Sequence, residues 1–332
     1  MPTIKDAVSK GLDSAQSKVK ELTPKLSQGL NDMVQKTGEA LSDGKTKVLD
    51  AGINAKDTVM EALDVNRNGQ IDIEDIIILG MKTPGVRVDR SSFLRNELKI
   101  HYDSQTVNKA IKTSPLCAGI PTEDINKIAD AVIQHERMFV SGIAAALGAP
   151  GGAAMLATIP ADIIQYYGYT LIAAQKLMYL YGFPEIISSE DGAQIDTPTM
   201  NTLIVAMGVM FGVAGAHNAI KAMATALGIG VERQLLKKAL TKGAIYPIVK
   251  NVAKWFGIRM TKEVFAGFFK KAIPVAGGIV GGGITYFSFK PCCDNLKASL
   301  MDTKLSNAEH KASAKETEIF EAIISGEEDI LS

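Results

Sequence analysis

Residues 138–161 carry no formal charge over about 24 consecutive positions, a length that matches the hydrocarbon thickness of a bilayer. A run of that kind has to be hidden from water, in lipid or in protein. Its composition points to a fold-back rather than a crossing. Pro150, Gly151 and Gly152 interrupt it midway, and it is rich in Ala and Gly, whose transfer into lipid gains little. Beyond Pro160 a helical period follows: Asp162, Gln165, Tyr169, Ile172 and Lys176 recur at spacings of three and four. Ile163, Ile164, Tyr167, Leu171, Leu177 and Leu180 occupy the other faces, so the spacing predicts a helix buried on all sides.

Two more uncharged stretches repeat the pattern. Residues 197–220 are broken by Gly208, Gly212 and Gly215, and residues 272–289 contain Gly277, Gly278, Gly281, Gly282 and Gly283. The small residues of the last stretch let another helix backbone approach closely. Between these stretches lie amphipathic segments with basic faces: Leu235, Leu236 and Leu240, then Ile248, Val252, Trp255 and Phe256, then Val264, Phe265, Phe268 and Phe269. Further upstream, Phe93, Leu94, Leu98 and Ile100, followed by Val107, Ala110 and Ile111, read as ordinary amphipathic helices. Thr122 opens another, with Ile125, Ile128, Ala129, Val132 and Ile133 on one side. The fold class that follows is all-α: a helical bundle with Gly-rich apolar hairpins.

The formal charge balances, with 36 basic and 36 acidic residues. Nucleic acid is therefore not an expected partner, because phosphate binding needs a basic excess. The N-terminus mixes acid and base and has no apolar core of a secretory signal, which places the expected location in the cytoplasm, with membrane association on the cytoplasmic face as the extension. Cys117, Cys292 and Cys293 are an odd number, the last two adjacent, which fits reduced thiols. No CxxC or HxxxH spacing accompanies them, so zinc is not indicated. Residues 1–60 contain no aromatic residue. Ile4, Val8, Leu12, Ala15, Val19, Leu22, Leu26, Leu30 and Met33 nevertheless mark a thin amphipathic helix, interrupted near Pro24. This arm is either half-disordered or laid on a partner or membrane surface.

The sharpest local motif spans Asp64 to Asp75. Asp64, Asn66 and Asn68 stand at alternate positions, Gly69 supplies the sharp turn, Gln70 offers its carbonyl, an apolar residue follows, and Asp72 and Asp75 close the loop. A hard cation takes six or more oxygens around one point, and alternate residues of a tight loop present them inward. The pattern predicts Ca2+, with Asp75 in place of the usual Glu tilting the site toward Mg2+. Flanking helices are expected at 54–63 and 74–82, the second ended by Pro84. The loop is similar to EF-hands, and its final Asp to the dockerin-like variant. The plain alternative is an Asp-capped turn.

Taken together, several short motifs resemble the EcsC family of bacterial proteins. The carrying residues are Ala149-Pro150-Gly151-Gly152, Ile159-Pro160-Ala161-Asp162, Gln175-Lys176-Leu177 with Tyr181-Gly182, Val249-Lys250, and the run from Lys271 through Pro274, Gly277 and Gly278 to Gly281-Gly282. The likeness covers about residues 90 to 300 and leaves out the arm and the loop. It implies an all-helical body associated with membranes or transport complexes, and it supplies no catalytic residue. The expected organisation is an arm at 1–60, the loop with its flanks at 61–84, the helical domain at 85–300 and a polar tail at 301–332. The expected function is non-enzymatic docking on a membrane or a protein partner. The alternative is an enzyme or ligand-binding protein with a buried polar site at Glu136, Asp162, Gln165 and Lys176.

Overall fold

Two antiparallel helices of 27 residues each, α4 (Thr122–Gly148) and α5 (Ala154–Leu180), form the spine of the protein. The computed structural model describes residues 64–67, 69, 72–82, 85–148, 154–187, 195–259 and 282–327. Eleven helices and no strand lie among them, so the fold is all-α. The others are α1 (Ile73–Lys82), α2 (Arg90–Leu98), α3 (Ser104–Lys112), α6 (Thr197–Met210), α7 (Ala216–Gly228), α8 (Arg233–Thr241), α9 (Tyr246–Arg259), α10 (Gly282–Leu300) and α11 (Ala314–Ser325). The N-terminal arm, the helix expected at 54–63 and the apolar residues 264–281 lie outside the described residues.

Several helix starts follow from capping chemistry. Asp89, Asp103, Asp196 and Ser313 each accept backbone N–H bonds from the first turn of the helix that follows, satisfying donors that would otherwise have no partner. The interruptions also have local causes. Gly212 and Gly215 both adopt positive φ between α6 and α7, a conformation that costs glycine least.

Helix α5 is buried on nearly every face from Gln165 to its end at Leu180, as its all-round apolar pattern predicts, and so are the three residues that follow; only Lys176 among these is partly exposed. α4 packs against α5 and α10, α1 lies across α5, and α6 sits against α7, α9 and α10. Glycine permits two of these approaches. A Cβ on Gly80 would stand 3.0 Å from Leu171 and 3.6 Å from the Gly168 backbone, and one on Gly208 would stand 2.6 Å from Val252. Tyr167, Phe211, Trp255 and Phe256 make an aromatic cluster where α5, α6 and α9 meet.

Three expectations are corrected. α5 begins at Ala154 and runs through Pro160 instead of starting after it. Pro291 reads as the point beyond which the chain turns polar, but it lies inside α10, which continues to Leu300. Ile100 is not part of a buried helical face, because α2 stops at Leu98 and Ile100 is half exposed. Among the described residues, no helix is long and apolar enough to cross a membrane.

Candidate functional site

The α4–α5 hairpin brings two of the expected polar residues together. Lys176 Nζ donates to Glu136 Oε1 at 2.5 Å, and His135 Nδ1 lies 3.3 Å from the same oxygen. Glu136 is buried, and burial alone would raise its pKa. The Lys176 ammonium and the neighbouring His135 outweigh that and hold the carboxyl well below the ordinary range. The Lys176 ammonium also lies over the Phe93 ring, 5.7 Å from its centre. Tyr169 sits at the same level, edge-on to Phe139, with its phenol pushed up by burial and by the Glu136 charge.

Gln165 does not join this group. Its amide is buried, and neither Nε2 nor Oε1 has a hydrogen-bond partner; the buried hydroxyl of Ser141 on α4 is likewise unpartnered. Leaving such groups unsatisfied costs about 1–3 kcal/mol each. Asp162 lies on α5, and its side chain falls outside the described residues.

An ionised carboxylate held this low is a weak base, and its ammonium partner is committed to it. The two buried cysteines are no better suited to attack. Burial pushes the Cys292 thiol up to about 11 and the Cys293 thiol well above the ordinary value, so neither carries much thiolate near neutrality. The arrangement holds charge in place; it does not present an activated nucleophile.

Two buried polar residues that the sequence reading left without a role turn out to tie segments together. Gln175 Nε2 donates to the carbonyls of Val86 and Leu171, and its Oε1 accepts from Val88 N–H, pinning the strap after α1 onto α5. Arg90 donates to the carbonyls of Ile111 and Thr113 at the end of α3 and to that of Phe183. Gln175 was legible only as part of a motif, and Arg90 only as the neighbour of a capping Asp, because backbone carbonyls leave no mark in a sequence.

The cation-type loop is partly described. Asp64 Oδ2 accepts from Gly69 N–H at 2.7 Å, and the Asp75 oxygens accept from Asn66 N–H and Asp72 N–H, each at 3.0 Å. Arg67 and Gly69 both have positive φ, which folds the loop back on itself. Asp75 is fully buried in the first turn of α1. Burial raises its pKa, and the N–H bonds from Asn66 and Asp72 only partly offset this. Asn68 and Gln70 lie outside the described residues. In kind, the oxygen donors suit a hard divalent cation. Among the described residues, however, no group of three His, Cys, Asp or Glu side chains converges closely enough to hold one. Asp64 and Asp75 bind the loop's own N–H groups.

Compared with known protein families, with curated proteins and with solved structures, the chain matches none. The resemblance to EcsC proteins therefore rests on the motif residues quoted above.

Proposed function

We propose that this chain is a non-enzymatic, EcsC-like docking protein that attaches to a membrane surface, or to a complex held there, by one end of its helical bundle. The observation that carries this reading is the placement of Met138 and Phe287, each about half exposed. They follow Arg137 and Tyr286, whose guanidinium and ring stack at 3.4 Å between α4 and α10. α10 runs antiparallel to α4, so its start points toward the end shared by the C-terminus of α4 and the N-terminus of α5. The uncharged residues 149–153 and 272–281 join the described helices at that end. Exposed apolar side chains beside uncharged sequence are chemistry suited to an interfacial anchor. Flotation of the full chain with phosphatidylserine-containing vesicles tests it. Co-flotation that Met138→Ser with Phe287→Ser weakens at least about tenfold supports the reading. An unbound chain, or a variant that floats as well as the original, rejects it.

The loop at 64–75 is proposed to bind Ca2+ through Asp64, Asn66, Asn68, the Gln70 carbonyl, Asp72 and Asp75, with Mg2+ as the competitor. A cation bound only by the folded form raises stability by about 2.7 kcal/mol at a hundred times its dissociation constant. The expected result is a calcium-dependent rise in melting temperature that Asp64→Ala removes. A chain whose melting temperature ignores millimolar Ca2+ has no such site.

A second reading, a small polar ligand held between α4 and α5, is favoured by the unpartnered Gln165 amide. It is decided by what mass spectrometry finds released from the denatured, gently purified chain. A stoichiometric small molecule supports it, and none argues for the docking reading.

A further inference from the structure

His310 has both ring nitrogens engaged by carboxylates. Nδ1 lies 2.9 Å from Asp302 Oδ1, and Nε2 lies 2.9 and 3.1 Å from the two oxygens of Glu316. Only 3% of the His310 side chain and none of the Glu316 side chain is exposed, whereas Asp302 is half exposed. With both carboxyls ionised, each ring nitrogen has to donate, and an imidazole donates from both only as an imidazolium. The three partners come from different places. Asp302 lies just after α10, His310 is in the connection beyond it, and Glu316 is in the first turn of α11.

The buried end of the clamp has little other support. Glu316 accepts one further hydrogen bond, from Thr225 Oγ1 on α7 at 2.9 Å, and its backbone N–H donates to the capping Ser313. Ser313 and Glu316 have the spacing of a capping box, in which the acid normally reaches back to the cap residue. Here the acid turns to the imidazolium and to Thr225 instead, tying α11 to α7. Each remaining charge near the ring has another partner or faces water. Lys221 of α7 donates to the far oxygen of Asp302 at 2.6 Å, and Lys304 donates to the Ala308 carbonyl. Lys315 of α11 pairs with Glu318, while Glu309 and Lys311 are exposed. Lys297 of α10 pairs with Asp130. No second cation is shown that reaches Glu316.

We propose that His310 is a pH-operated latch on the C-terminal helix: its proton holds α11 against α7, and loss of that proton releases α11 while the rest of the bundle stays folded. When the proton leaves, one ring nitrogen turns a lone pair toward a carboxylate, and a fully buried Glu316 loses its only cation. Asp302 can swing into water or toward Lys221; Glu316 cannot. Burial would by itself lower the His310 pKa, but the hydrogen bonds and charges of Asp302 and Glu316 prevail and raise it above the ordinary histidine value. A raised pKa means that the latch is fully set below about pH 6.5 and is lost as pH climbs through the docked-state value. Each unit by which the docked pKa exceeds the released one is a tenfold change in the docking equilibrium.

Hydrogen exchange of the full chain, corrected for the intrinsic pH dependence of amide exchange and followed from about pH 6 to about pH 9, tests the latch. The expected result is that protection of residues 314–325 falls by up to about tenfold per pH unit between about pH 6.5 and the docked-state His310 pKa and levels off above it, while residues 165–183 stay protected. Glu316→Gln should abolish that pH step and bring the His310 NMR titration down toward the ordinary value. Protection of α11 that tracks α5 at every pH, or a His310 that titrates at or below about pH 6.5, overturns the proposal. If the variant does not fold, the wild-type profile against its α5 control still decides.

Discussion

Glu136 and Lys176 show what a buried charge asks of a single residue. Removing one partner of a buried pair leaves the other uncompensated, at about 3–5 kcal/mol, whereas replacing both with apolar groups is often nearly neutral. Lys176→Met should therefore lower chemical-denaturation stability by that amount, and Glu136→Leu with Lys176→Met should recover most of the loss. A double variant as unstable as the single one would mean that the pair does more than neutralise itself. The pH dependence has a defined sign. The folded pKa of Glu136 is depressed, so its contribution is present above the ordinary carboxylate range and is lost as pH falls through the folded value. Glu136 and Lys176 were legible because each interrupts an apolar pattern. That they touch, while Gln165 stays apart, was not, since residues 162, 165, 169, 172 and 176 share only a period, and a period does not name what lies opposite.

The helices were largely visible from hydrophobic spacing, whereas their Asp and Ser caps became plain only in the structure. The prolines misled. Pro160 falls in the second turn of α5 and Pro291 midway along α10, and both helices continue. A proline loses one backbone bond, but a helix held by packing on either side tolerates that loss. The glycines read as places of close approach, at 277–283, are not among those whose surroundings the structure describes, and among the described glycines only the structure separates those that need no side chain from those that merely lack one. A methyl at Gly208 would press on Val252 and on the Ala216 Cβ, whereas one at Gly142 of α4 meets nothing within 4 Å. Gly208→Ala should cost about 1–3 kcal/mol through overpacking. Gly142→Ala should be neutral or stabilise by up to about 1 kcal/mol. Thermal denaturation of the two variants side by side checks this, and equal effects would contradict the crossing of α6 and α9.

At the scale of the whole molecule, an uncharged run long enough for a bilayer becomes a pair of helices, because α4 ends at Gly148 and α5 begins at Ala154. Sequence shows the length of such a run and its breaks, but not which neighbour covers it; α5 is sealed by α1, α4, α6 and α10, two of them, α1 and α10, far away in the chain. The helix at 314–325 is the converse case. It lies in what reads as a polar tail, yet Ile319 and Ile323 are buried and Glu316 is held by a distant helix. The central claim is that the glycine-broken segments fold back into a helical body that meets a membrane only at its surface. Hydrogen exchange of the full chain with and without anionic vesicles tests it most directly. The account predicts that residues 165–183 are equally protected in both conditions and that vesicles slow exchange only around residues 138–161 and 260–289. Residues 165–183 that become protected only when lipid is added would contradict it.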